Sequence, residues 1–226
     1  MNSTLKKLLF ASILWAVASV ANATPFVLQT PDLTTTTGNQ AWSGVGVRFE
    51  VNSAITVFDL GIFDSGQNGI AALPGAPLSA YLLTDVGAVV ASMTFDINSQ
   101  GTVDGKYRFK EIAPVDLLPG IYLLMGYGWT VADPEHNCHV SGDVGCGTFN
   151  DGGGLLTYLG SPWGGGNDPA GTLPTNDLSG TPNYFSAANM HYDAAAAPEP
   201  GSLLLLGSGL AGLGLWRRLG QKGASV

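Results

Sequence analysis

Basic residues are scarce in the body of this chain. Of the nine Lys and Arg among 226 residues, only Arg48, Lys106, Arg108 and Lys110 fall between Thr24 and Pro198. Sixteen Asp and Glu share that stretch, which leaves it at a net charge of −12. So acidic a surface excludes nucleic acid as a partner, because that binding depends on neutralising phosphates with Lys and Arg. Cysteine is almost as rare, with Cys138 and Cys146 the only two. The signatures of catalysis are missing: there is no G-x-S-x-G, no H-E-x-x-H and no Walker sequence. A glycosidase carboxylate pair is defined by separation in space rather than along the chain. With no other signature beside it, the chain reads as non-enzymatic, without catalytic residues or a cofactor.

What is present begins at the two ends. Lys6 and Lys7 precede an apolar run from Leu8 to Val20 and then Ala21-Asn22-Ala23. That is the pattern of a secretory signal peptide over residues 1–23, cleaved after Ala23 so that the mature chain starts at Thr24. At the other end stand Pro198-Glu199-Pro200, then an uncharged segment, Gly201 to Trp216, with seven Leu, then Arg217, Arg218 and Lys222. Sixteen helical residues reach about 24 Å, short of the ~30 Å hydrocarbon core of a bilayer. Snorkelling of the three basic side chains covers the shortfall, and their charge puts that end in the cytoplasm. The two prolines stop the helix from running upstream and leave Glu199 in an extended, accessible stretch after the alanine spacer 194–197.

This order of motif, apolar helix and basic end resembles the PEP-CTERM sorting tail of Gram-negative bacteria, here residues 194–226. The resemblance implies recognition of Pro198-Glu199-Pro200 by exosortase, a membrane-embedded transpeptidase, while the apolar helix and basic cluster hold the substrate in the inner membrane. Exosortase and the inner membrane are thus expected as transient partners, and the outer surface or the extracellular space as the destination. The tail family is also labelled after an ice-binding protein C-terminus. That label concerns the shared sorting segment, and the single Thr34 to Thr37 run does not supply the flat Thr array that ice binding needs.

The body, residues 24–193, is of single-domain size. Val45, Val47, Phe49 and Val51 alternate with Gly46, Arg48 and Glu50, the pattern of a half-buried strand. Comparable runs recur at Ile55 to Phe63, Leu78 to Thr84, Val89 to Ile97, Lys106 to Ile112, Ile121 to Thr130 and Ala187 to Tyr192. Short strands bounded by Gly, Pro, Asn and Asp, with no long helical period, predict an all-β antiparallel sandwich or jelly roll. Asp104-Gly105 is a hairpin signal, and Leu118-Pro119-Gly120 suits a type II turn with Gly120 at positive φ. The runs Gly46 to Phe49, Ile55 to Asp64, Ala80 to Asp85 and Val115 to Tyr122, with Asn189 to Tyr192, are similar to a β-sandwich domain of unknown function in secreted bacterial proteins. That resemblance brings no catalytic residues.

Between 130 and 186 lies a long insert rich in Gly, Asn, Asp and Pro, where ligand contact is expected. In an oxidising compartment Cys138 and Cys146 are expected to form a disulfide, closing a loop worth about 2.5 kcal/mol by chain entropy. The alternatives are a metal site from His136, Cys138, His139 and Cys146, an order that lacks the C-x2-C spacing of structural zinc, or two free thiols. Asn150-Asp151-Gly152 and Asn167-Asp168 offer oxygen ligands for Ca²⁺, with Asx turns as the competing explanation and no D-x-D-x-D-G loop present. Trp129, Tyr158, Trp163 and Tyr184 form a candidate sugar-stacking set, or else serve as core.

Two functions remain open: a matrix or biofilm component associated with exopolysaccharide, or a carbohydrate- or calcium-binding sandwich module. The sorting expectation has a direct check. Mass spectrometry of the extracellular protein should find a chain that starts at Thr24 and lacks everything beyond the Pro198-Glu199-Pro200 region. An intact C-terminus containing Trp216 would sink it.

Overall fold

The computed structural model describes residues 28–29, 39–42, 44–138, 148–164, 173–179 and 185–195. The signal-peptide residues Ala21, Ala23 and Thr24, the motif Pro198, Glu199 and Pro200, the apolar segment 201–216 and Arg217, Arg218 and Lys222 lie outside them. Among the described residues there is no α-helix, and none is long and apolar enough to cross a membrane.

The strands are β1 (Leu28–Gln29), β2 (Asn39–Gln40), β3 (Val45–Val51), β4 (Ile55–Phe63), β5 (Leu78–Thr84), β6 (Val89–Phe95), β7 (Thr102–Asp104) and β8 (Tyr107–Leu117). They continue as β9 (Gly120–Tyr127), β10 (Glu135–Asn137), β11 (Thr148–Phe149), β12 (Leu156–Trp163), β13 (Asn176–Ser179), β14 (Phe185–Ser186) and β15 (Ala188–Ala194). A six-stranded sheet runs β13-β12-β3-β9-β5-β6 and a four-stranded sheet runs β15-β4-β8-β7, every pair antiparallel. This is a β-sandwich. Small sheets β14-β10-β2 and β1-β11 complete it.

The alternation in β3 does what the pattern requires: Val45, Val47, Phe49 and Val51 are buried while Glu50 is exposed. In β4 a register shift between Val57 and Asp59 lets Ile55 and Val57, then Leu60 and Ile62, all reach the interior. With Leu78, Leu82, Phe95, Leu124, Met190 and Tyr192 they form one apolar cluster between the sheets. The outer face of the six-stranded sheet is covered as well, with Leu83, Leu123, Met125 and Tyr127 buried in a second cluster. One ion pair is enclosed at the far end of the four-stranded sheet, Arg108 Nε to Asp64 Oδ2 at 2.6 Å, where the Gly69 amide also donates to Asp64.

Three expectations change. The segment 130–186 is not a plain loop, since it supplies β10 to β14, and β12 lies within the six-stranded sheet between β13 and β3. Gly160 and Pro162 disguise β12 as a loop. The strand tolerates them because its register shifts between Tyr158 and Gly160, and because Gly160 leaves room for the Asp177 carboxylate. β8 runs on to Leu117 instead of stopping at Ile112, the extra residues bulging between Glu111 and Val115. Gly120 has φ 159°, already extended because it pairs with Val51, so the type II geometry expected there is not adopted. The Asp104-Gly105 turn is found between β7 and β8, with Gly105 at φ 55°.

Gly46 is required by close approach rather than by conformation. A Cβ there would overlap the Leu124 carbonyl oxygen and lie 2.8 Å from Met125 sulfur. Gly46→Ala is therefore expected to cost about 1–3 kcal/mol, read as a lower midpoint in urea with unchanged slope.

Candidate functional site

Two clefts gather chemistry-bearing side chains. The first is aromatic. Trp42, 45 % exposed just after β2, meets Trp163 at the end of β12 edge-on, ring centroids 5.2 Å apart at 67°. Leu178 of β13, Phe185 of β14 and Asn137 of β10 complete a cleft of about 280 Å³. Rings of this kind offer an apolar face with a polar N–H at the rim, which suits a ligand that is apolar on one side and hydroxylated on the other.

The second cleft, of about 530 Å³, lies on the outer face of the four-stranded sheet and is lined by Asp59, Asp104, Phe109, Glu111 and His191 among others. His191 stacks on Phe109 with centroids 3.9 Å apart, and its Nδ1 lies 3.0 Å from Asp59 Oδ2. Its Nε2 faces Asp104 Oδ2 at 3.7 Å. The imidazole is thus clamped between two carboxylates and a ring, an arrangement that ties β15 to β4, β7 and β8. The contact at Nδ1 is of hydrogen-bond length, while the 3.7 Å approach at Nε2 is electrostatic only.

The sequence candidates are distributed differently from expectation. Trp129 is 6 % exposed and packs in the core against Gly126, so it is no sugar platform. Tyr158 is half-buried, sharing a hydrogen bond with Ser161 at 2.8 Å and packing on Phe149. Of the expected aromatic set only Trp163 reaches a cleft, and Tyr184 lies outside the described residues. His136 is buried with Nδ1 3.4 Å from Asn39 Oδ1. Cys138 is buried and carries no free thiol, while His139 and Cys146 lie outside the described residues. Among the described residues no three His, Cys, Asp or Glu converge as metal ligands. Asn150 and Asp151 accept from the amides of Gly152 and Gly153 at 3.1 and 2.9 Å, which are Asx turns. Asn167 and Asp168 lie outside the described residues.

Residues 196–218 match the family described as the PEP-CTERM protein-sorting motif. The tail is a PEP-CTERM sorting motif. It marks an exported protein that passes through the membrane and is processed by exosortase. No curated protein and no solved structure matches the chain.

Sequence reasoning missed Trp42 and Phe185 of the aromatic cleft. Trp42 carried a usable signal, a lone Trp in a stretch otherwise rich in small and polar residues, Thr34 to Gly44. The His191–Asp59 contact carried none, because it joins residues 132 apart in sequence.

One further group stands out electrostatically. Glu135 is fully buried, and neither carboxyl oxygen has a hydrogen-bond partner among the described residues. Burial pushes its pKa up to about 9. The folded state therefore holds a proton that the unfolded chain releases near pH 4.5, so this group weakens the fold progressively as pH rises from about 4.5 to about 9. Between pH 5 and pH 8 the melting temperature is expected to fall by at least the ~2–4 °C that 1 kcal/mol is worth in a domain of this size. Glu135→Gln should flatten that slope in thermal melts.

Proposed function

We propose that this protein is a non-enzymatic component of the extracellular matrix or cell surface, delivered by exosortase and associated with exopolysaccharide. The observation that carries the reading is the pairing of a sorting motif at 196–218 with an acidic β-sandwich body. Delivery is set by the tail, and the body presents a soluble surface of high negative charge. The contacts of His191 with Asp59, Asp104 and Phe109 support a structural role for the cleft on the four-stranded sheet. The expected Cys138–Cys146 disulfide belongs to the same picture of a protein that works outside the cell.

The Trp42–Trp163 cleft favours a second, compatible reading, a carbohydrate-binding module. Of the alternatives within that reading, sugar has the better support, because the Asx turns at Asn150 and Asp151 already account for their side-chain oxygens without Ca²⁺. Pull-down of the folded body on the polysaccharide of the producing cell is expected to show binding that drops about tenfold or more in Trp42→Ala and in Trp163→Ala. Absence of binding together with an altered matrix on gene deletion selects the first reading. Neither effect would overturn both.

A further inference from the structure

The folded body ends almost at the sorting motif. The Ala195 amide donates to the Ala54 carbonyl at 2.9 Å, which fixes the chain one residue after β15. From Ala195 to Glu199 there are four residues, and a chain spans at most about 3.3–3.6 Å per residue. Whatever conformation those residues take, Glu199 is held within about 14 Å of the body. An enzyme that grips Pro198-Glu199-Pro200 therefore works within that distance of the end of the sandwich from which the chain leaves.

That end is well defined. Ala194 pairs with Ile55 and Ile55 with Leu117, so β15 leaves the sheet beside the turn joining β3 to β4 and the turn joining β8 to β9. Gly120 and Leu156 both pair with Val51, and Tyr192 donates to the Asn150 carbonyl, which adds the 150–155 turn to the same pole. Asp193 and Asp116 both pair with Thr56, one from each side, so the three stand in a row across three strands on one face. Both carboxylates are exposed, and the Thr56 hydroxyl donates to Asp116 at 2.7 Å. Asp151 adds a third exposed carboxylate, and Leu118 is 67 % exposed in the neighbouring turn. None of the body's four basic residues lies in these turns. Lys106 and Arg108 stand at the opposite pole, beside Phe63 and Asp64.

We propose that the Asp193–Thr56–Asp116 row and its adjoining turns form the docking surface for exosortase, which meets it with a basic rim around its peptide-binding site. The inference rests on exosortase processing of the tail, and it adds a contact beyond the motif. A bilayer is the poorer partner for this pole, since anionic headgroups would face three carboxylates.

The test uses the full chain in cells that carry exosortase, following conversion of the membrane-held precursor to the released form by pulse-chase and immunoblot. Asp116→Lys with Asp193→Lys is expected to slow conversion about five- to tenfold, and Asp116→Asn with Asp193→Asn about two- to threefold. Asn68→Lys with Leu73→Lys, exposed positions at the far pole, should leave the rate unchanged. Inserting about eight Gly and Ser residues after Ala195 frees the body from the enzyme, and the difference between the Lys variant and its parent should vanish. Parental rates in both Asp variants overturn the proposal, as does equal slowing at the two poles or a difference that survives the insert. Faster conversion of the Lys variant with stronger binding to anionic vesicles indicates a bilayer contact and also overturns it. Glu199→Ala separates the two layers: it blocks conversion where the tail is the sorting site, whatever the pole does.

Discussion

The body is held together by one apolar layer trapped between two antiparallel sheets. Its chain crosses from sheet to sheet repeatedly: β3 to β4, β4 to β5, β6 to β7 and β8 to β9 each pass from one to the other. Neither sheet can therefore form its inner face without the other, and Phe49, Val57, Leu60, Ile62, Leu82, Leu124 and Tyr192 are buried jointly. At roughly 25 cal/mol per Å² of apolar surface, that layer is the main favourable term in a domain poor in charge pairs. Features at the rim depend on it. The Trp42–Trp163 cleft exists because β12 is pinned to β3, and the His191 clamp exists because β15 is pinned to β4.

Polar groups are used sparingly and mostly for position. Arg108 closes on Asp64 inside the far pole, and Arg48 reaches Asp177 at 3.3 Å across the outer face of the larger sheet. Lys110 is anchored by Ser99 at 2.7 Å and lies over the Phe95 ring. Arg48, Arg108 and Lys110 are thus each tied to specific partners. Tyr192 shows the cost of such a neighbourhood, as burial and the Asp151 charge both push its hydroxyl pKa up.

Much of this was legible in the sequence, and the reasons for the rest are physical. β3 was readable because a strand with one wet face alternates, and Val45 to Val51 does so without interruption. β5 was readable from an apolar run with clear turn signals around it. β12 was not, because Gly160 and Pro162 are strand-breaking by propensity, and only the register shift and the Asp177 neighbour explain their tolerance. The tail was legible residue by residue, since a peptide recognised in extended form carries its information in linear order. Clefts are different. Trp42, Trp163 and Phe185 come together through three separate strand pairings, and no spacing along the chain encodes that meeting.

β15 has a bearing on when the protein becomes a protein. It is the edge strand of the four-stranded sheet, it carries Met190 and Tyr192 into the core, and its partner β4 lies some 132 residues earlier. Until β15 has joined β4, the four-stranded sheet has an open edge and the core lacks Met190 and Tyr192. Closure of the sandwich therefore waits for almost the last residues of the body, whatever the order in which the rest of it forms.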